Sequence, residues 1–155
     1  RAAIQPTEQG CRAQFRLDGD MTAIKIPVHK PSSRQDNLWK TTCFEIFWQP
    51  DGGSYYREFN LSPSSQWACY DFDDFRRNSR DAPVEAIAIA CAHSDGALML
   101  SADIASELPL PSSVALNAVV EDKLGNIQFW ALAFQDGKPE FHSTTCRAVH
   151  LDRMA

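Results

Sequence analysis

The strongest constraint on the fold is the stretch from Leu38 to Tyr70, which reads LWKTTCFEIFWQPDGGSYYREFNLSPSSQWACY. Two runs rich in aromatic and β-branched residues flank the turn signal Pro50-Asp51-Gly52-Gly53. This pattern predicts an antiparallel hairpin, because short turns of this composition join neighbouring strands. A further strand is expected over residues 67–72, after the turn SPSSQ.

Charged side chains stand among aromatic ones on both strands of this hairpin. Side chains alternate between the two faces of a strand, so Glu45 shares a face with Cys43 and Phe47. A solvated face needs only polar residues and a core face only apolar ones. The mixture of Trp39, Glu45 and Arg57 with aromatic rings therefore favours a surface that binds a ligand. The alternative is an Arg–Glu pair across an ordinary sheet.

The rest of the chain is divided by Gly, Pro and Asp turns into short segments of strand character. About ten such strands at a spacing of roughly 8–12 residues indicate an all-β fold, an antiparallel β-sandwich of immunoglobulin or jelly-roll type. No segment carries a helical stripe over three turns. We expect the whole chain, residues 1–155, to form one domain. Beside the hairpin, the predicted strands are Cys11–Leu17, Thr22–Ile26 (as its hairpin partner), Val84–His93, Ala97–Ala105, Val114–Glu121, Ile127–Phe134 and a short last strand within Phe141–Leu151.

Charge and cysteine usage narrow the function classes. A net charge of −5 and a pI of about 5.3 give no electrostatic support for binding nucleic acid or an anionic membrane. The apolar runs are too short for a membrane-spanning helix. Five dispersed cysteines without a CxxC spacing indicate buried thiols in a reducing compartment and no structural metal. We therefore expect a cytoplasmic location, although an export signal removed from the N-terminus stays open.

Several motifs together resemble a known family. They are Asn37-Leu38-Trp39, the strand TCFEIF at 42–47, the strand and turn YREFNLSP at 56–63, and the strand with Trp67 and Tyr70. This pattern is similar to DOMON-like domains related to family 9 carbohydrate-binding modules, most of all to a bacterial subgroup also found fused to UDP-N-acetylmuramate dehydrogenase. The segments 121–130 and 137–142 extend the resemblance, which spans residues 15–151.

The resemblance implies a β-sandwich that binds a sugar or, in other branches of the family, haem. Carried onto this chain, it makes Trp39 a stacking platform, Glu45 an acceptor and Arg57 a donor, with Trp130 as the second platform and Asn126 nearby. Indole rings stack on sugar C–H faces, and carboxylate and guanidinium groups pair with hydroxyls. The alternation around Trp130 also allows a buried core residue instead of a platform.

Other chemistries compete with sugar binding. A haem would need axial ligands from Met21, Met99, His93 and His142. The exposed rings of an aromatic sheet face could instead bind a partner protein or a second copy, and a homodimer stays open.

Catalysis and metal binding are weaker alternatives. Glu45 and Glu58 could form a glycosidase pair, but Arg57 would hold at least one of them ionised and unsuited to act as the acid. Asp71, Asp73 and Asp74 could bind calcium, but their spacing fits no loop geometry and arginines follow closely. We expect a non-catalytic domain for a small saccharide or sugar derivative, with no catalytic residue, no metal and no cofactor.

Overall fold

The computed structural model describes residues 1–153 as two antiparallel β-sheets packed face to face. This architecture confirms the predicted β-sandwich. The strands are β1 Ala2–Thr7, β2 Gly10–Asp18, β3 Cys43–Pro50, β4 Tyr56–Leu61, β5 Trp67–Phe72, β6 Arg80–Asp81, β7 Ala86–His93, β8 Ala97–Ala105, β9 Ser112–Glu121, β10 Ile127–Ala131 and β11 Val149–Leu151. Short 3₁₀ turns are formed by Met21–Ala23, Leu38–Lys40 and Thr144–Cys146. Within residues 1–153, no helix has the length and hydropathy that crossing a membrane requires.

The smaller sheet has the strand order β1-β2-β8-β7, and the larger one has the order β10-β9-β3-β4-β5-β6. Strand β11 pairs with the start of β9, while β10 pairs with its end. The main core lies between the sheets, because alternate residues of both sheets point inward and exclude water. Its members include Phe15, Leu98, Leu100, Phe44, Ile46, Trp48, Phe59, Leu116 and Val120.

The central hairpin forms as the sequence predicts. Strand β3 pairs with β4 so that Glu45 lies opposite Asn60 and Phe47 lies opposite Glu58. Strand β5 continues the sheet beside β4. The outer face of this sheet, turned away from the main core, carries Glu45 and Glu58 and is the face of interest below.

The predicted N-terminal hairpin is wrong. Strand β2 pairs with β1 and β8, and Thr22–Ile26 forms no strand; Ile24 makes only an isolated bridge to Asp122. Gly10 permits the tight β1–β2 turn, with φ +154, and a Cβ there would lie 2.2 Å from the Ile104 carbonyl oxygen. Asp20 instead caps the 3₁₀ turn through the Thr22 amide, which ends the strand pattern.

The last predicted strand is shorter than expected. Only Val149–Leu151 pairs with β9. Residues 132–148, which we call the strap, run mostly irregularly over the outer face of the larger sheet. Phe141 and Cys146 of the strap pack against Phe47 and Tyr56 of the sheet in a second apolar cluster. Tertiary burial rather than strand pairing therefore holds this segment.

Candidate functional site

Three polar side chains lie in one row across the outer face of the larger sheet. The register aligns Asn117 of β9 with Glu45 of β3, and Glu45 with Asn60 of β4. Small residues end the row, with Ala131 beside Asn117 and Ala68 beside Asn60. Directly opposed residues have Cβ atoms about 5 Å apart, so these side chains are neighbours. We call Asn117, Glu45 and Asn60 the polar floor.

The polar floor has hydrogen-bonding capacity that the rest of the described chain does not use. Both side-chain atoms of Asn60 and both of Asn117 are buried, and none has a hydrogen-bond partner among residues 1–153. A buried polar group left unpaired costs about 1–3 kcal/mol. Folded proteins rarely keep such groups without ordered water or a ligand. The floor is therefore suited to bind a polar molecule.

Two carboxyl groups lie next to each other at this floor. Glu45 is only 3% exposed, and Glu58 is its diagonal neighbour in the β3–β4 register. Burial, followed by the charge of Glu58, raises the pKa of Glu45 well above its usual range, although Arg76 opposes this effect. Burial raises the pKa of Glu58 to about 7. The nearby Asn60 amide and Arg76 oppose that rise, but no well-formed hydrogen bond joins Asn60 to Glu58.

The strap places His142 over Glu58. The His142 Nε2 atom lies 3.6 Å from a carboxylate oxygen of Glu58, and its Nδ1 atom lies 2.7 Å from the hydroxyl of Tyr56. The backbone N–H of Arg76 donates to the same hydroxyl at 3.1 Å. Burial, followed by the charge of Arg76, lowers the pKa of His142 to about 4. His142 is therefore neutral at pH 7 and adds no positive charge above Glu58.

An ion pair fixes the strap to the loop that follows β5. Arg76 donates from Nη2 to Oε1 of Glu140 at 2.9 Å and from Nε to Oε2 at 3.1 Å. The backbone N–H of His142 donates to the same carboxylate at 3.0 Å. Burial disfavours the charged form of Glu140, but the hydrogen bonds from Arg76 and His142 outweigh this effect and lower the pKa of Glu140. We call the Arg76–Glu140 pair the latch.

The turn that carries Trp39 packs on the same sheet face as Glu45. Trp39 belongs to the 3₁₀ turn Leu38–Lys40, whose Leu38 packs on Cys43 and Ala68 beside the floor. The indole is 49% exposed, and Lys40 Nζ lies 5.5 Å from its ring centroid. An exposed indole can stack on an apolar ligand face.

Arg57 lies on the opposite face of the sheet from Glu45, facing the main core. It donates from Nε and Nη2 to the two carboxylate oxygens of Asp71 at 2.7 and 2.9 Å. A further bond from Nη1 reaches the hydroxyl of Ser106 at 2.7 Å. Burial disfavours its charge, but the bonds to Asp71 outweigh this and raise the pKa of Arg57. The expected proximity of Arg57 to Glu45 is thus wrong, because alternation puts Glu58, not Arg57, on the face of Glu45.

Trp130 and Asn126 also lie away from the floor. Trp130 pairs with Ala118, whose side chain belongs to the main core, so Trp130 points to the opposite side of the sheet from Glu45. Trp130 is 58% exposed on the edge strand β10, so the alternative that it is a buried core residue is wrong. Asn126 donates to Asp122 at 2.8 Å within the β9–β10 turn. Of the five expected residues, only Glu45 belongs to the floor, and only Trp39 is carried by a turn that packs on the same sheet face.

The sequence interpretation did not place Asn60, Asn117 or Glu140 in the site, and it considered His142 only as a haem ligand. A signal existed for two of them. Asn117 is the single polar residue within the run VALNAVV, and Asn60 follows Glu58 at the strand period of two. No local pattern marks Glu140 and His142, since their position depends on the path of the strap.

The residues considered for metal or haem binding are spread over the molecule. Asp71 is held by Arg57, and Asp73 accepts a bond from Arg80 at 2.8 Å. Residues 1–153 contain no group of three or more His, Cys, Asp or Glu side chains placed to hold a metal ion. Met21 and His93 line one hollow of about 710 Å³ at the end of the sandwich.

Comparison with known proteins adds one structural relative. No family model and no curated protein matches the chain. Among solved structures, the chain is similar to a protein of Bacteroides uniformis ATCC 8492 that is provisionally assigned as a carbohydrate-binding protein. The TM-score is 0.66 at 12% sequence identity, over 94% of this chain and 74% of that chain. This likeness shows the fold.

Proposed function

We propose that this chain is a non-catalytic binding domain for a carbohydrate or sugar derivative, of the DOMON-like type related to family 9 carbohydrate-binding modules. The observation that carries the proposal is the unused hydrogen-bonding capacity of Asn60 and Asn117, on the sheet face where the turn with the exposed indole of Trp39 packs. The fold shared with a provisionally assigned carbohydrate-binding protein supports it. So do the motifs around Trp39 and Glu45 in the sequence.

The chemistry of the face favours binding over hydrolysis. Sugar hydroxyls both donate and accept, which matches side-chain amides and a carboxyl group. A glycosidase pair needs one acid that is protonated and one that is ionised. Here burial raises the pKa of both Glu45 and Glu58, so neither is favoured as the ionised nucleophile or base.

A binding screen tests the proposal. Neutral monosaccharides and oligosaccharides, and also sugar nucleotides, are titrated by calorimetry into the wild type, Trp39→Ala and Glu45→Ala. We expect both substitutions to weaken binding by at least about tenfold, because each removes one stacking or hydrogen-bonding contact. Met99→Ala is the control, since Met99 is similarly exposed (51%) on the outer face of the smaller sheet. Binding that neither site variant changes contradicts this site.

A second candidate function, a protein-interaction module, is favoured by the exposed apolar side chains around β10. An edge strand with apolar side chains on both faces is a template for a partner. This set comprises Leu124, Ile127, Phe129, Trp130, Leu132 and Phe134. Light scattering from 1 to 200 µM, about a 200-fold range, tests self-association by mass action. A constant monomer mass contradicts a homodimer.

A further inference from the structure

We infer that the polar floor is a buried subsite that takes one uncharged group able both to donate and to accept hydrogen bonds, as a sugar hydroxyl or an acetamido group does. The inference rests on the proposed function and names the chemistry at the bottom of that site. Asn60 and Asn117 contribute to it, and neither residue was expected from the family resemblance.

The floor offers both hydrogen-bonding roles within a short span. Each amide supplies two N–H donors and one carbonyl acceptor, and the carboxyl of Glu45 stands between them. No described side chain or backbone group bonds either amide. The three side chains cover two strand spacings, about 10 Å, which is close to the width of one sugar ring with its substituents. A single hydroxyl or acetamido group can therefore reach two of the three residues.

The charges around the floor disfavour a charged group. Glu58 and Glu140 would repel an anion, since both lie near Glu45 on the same side of the sheet. Arg76, whose charge also acts on Glu45, would repel a cation. His142 is neutral at pH 7 because its pKa is lowered to about 4. Burial adds a penalty for any net charge brought to the floor.

The test uses nearly isosteric apolar variants, Asn60→Leu and Asn117→Leu. If the amides serve a ligand, replacing them removes unpaired polar atoms, so the melting temperature stays within about 2 °C of the wild type or rises. Binding should weaken by at least about tenfold per variant. Gln14→Leu is the matched control, because it makes the same amide-to-leucine change on the outer face of the smaller sheet, outside the site. We expect it to leave binding unchanged.

Four sugars that differ in one substituent test which chemical group the polar floor binds. Glucose and N-acetylglucosamine are compared with glucosamine and glucose 6-phosphate at pH 7 by calorimetry. We expect at least one neutral sugar to bind tighter than both charged ones by about tenfold or more. The contrast between glucose and N-acetylglucosamine distinguishes a hydroxyl from an acetamido group at the floor.

Contradicting outcomes for the inference differ from those for the proposed function. Sugar binding that survives in both leucine variants, or charged sugars that bind tightest, overturns the subsite but leaves the proposed function standing. A fall of more than about 5 °C in melting temperature for both variants also overturns it, because the amides would then stabilise the fold. A wild type that binds no carbohydrate overturns both.

Discussion

At the scale of single residues, two buried carboxyl groups of the larger sheet differ in their hydrogen bonding. Asp71 faces the main core and is neutralised by two hydrogen bonds from Arg57 and one from Tyr55. Glu45 faces outward, and no described donor bonds its carboxyl group. Removing one partner of a buried ion pair is strongly destabilising, because the other charge is left buried and unpaired. Asp71 is thus expected to matter for stability, whereas Glu45 is the carboxyl group that we propose binds the ligand.

The raised pKa of Glu45 gives a pH dependence with a definite sign. A carboxyl group whose pKa is higher in the folded than in the unfolded state stabilises most below its unfolded pKa and loses that contribution as the pH rises. Glu45→Gln mimics the protonated form at every pH. We expect the variant to gain stability relative to the wild type between pH 5 and pH 8, measured by urea midpoints.

Glu8→Gln, at an exposed position, controls for the loss of one surface charge. A stability difference between Glu45→Gln and wild type that is the same at pH 5 and pH 8 would contradict the raised pKa. The pH dependence of the wild type alone is less informative, because His142 has the opposite effect on stability. The pKa of His142 is lowered on folding, so its contribution to the free energy of unfolding is lost as the pH falls from about 6.5 to about 4.

The Arg57–Asp71 pair should be important for stability. Asp71→Ala leaves a buried guanidinium without its partner, and we expect a loss of about 3–5 kcal/mol in the free energy of unfolding. The matched control is Asp103→Ala, which breaks a bidentate pair with Arg12 of similar geometry on the exposed face of the smaller sheet. That change should cost at most about 1 kcal/mol. Equal losses in the two variants would contradict the structural role of Arg57.

At the scale of elements, the strap is an irregular segment packed on the outer face of the larger sheet, next to Glu58. It makes few strand pairings, and Phe141, Cys146 and the latch hold it to the sheet. Segments with few backbone hydrogen bonds and limited apolar burial open with low free energy. The strap is therefore expected to open more easily than the strands on which it packs.

Weakening the latch should loosen the strap without unfolding the sandwich. We expect Glu140→Gln to raise amide hydrogen exchange within residues 132–148 several-fold, while the free energy of unfolding changes by about 1 kcal/mol or less, as for other partly exposed ion pairs. Mass spectrometry of peptic fragments measures the exchange. Asp73→Asn is the control, since it weakens the exposed Arg80–Asp73 pair away from the strap. Identical exchange in both variants would contradict the latch.

At the scale of the whole molecule, the sandwich is held by its core and not by covalent bridges. All five cysteines are free thiols, and Cys11, Cys43, Cys69 and Cys146 are buried. Burial raises the pKa of Cys69 and Cys11, which keeps them as unreactive thiols. Cys91 on the edge strand β7 is the most accessible of the five.

Thiol labelling should therefore proceed in two phases. We expect a disulfide reagent to modify Cys91 first in the native protein, and the other four only on unfolding. Because no disulfide is present, a reducing agent should leave the melting temperature unchanged within about 1 °C. Cys91→Ser should remove the fast phase. Rapid labelling of two or more thiols in the native state would contradict this arrangement of the core.

Hydrophobic alternation and turn chemistry in the sequence determined the sandwich and its central hairpin. The run CFEIFWQP, the PDGG turn and YREFNL are local signals, and strand pairing of neighbouring segments costs little loop-closure entropy. The same alternation put Arg57 and Glu58 on opposite faces of their strand, and the register of β3 with β4 then matched the face of Glu58 with that of Glu45. The expectation that Glu45 and Arg57 act together failed because it followed a family motif rather than this period.

Only the tertiary structure decided what the outer face of the larger sheet contains. Asn117 comes from a strand more than fifty residues after Asn60, and the two meet at Glu45 because β9 and β4 flank β3. Whether Trp130 is buried depends on how far the smaller sheet covers the edge strand β10. The strap, with Glu140 and His142, has no periodic signal at all. Long-range packing determines where these groups lie, because the free energy that holds them in place comes from burial against residues distant in sequence.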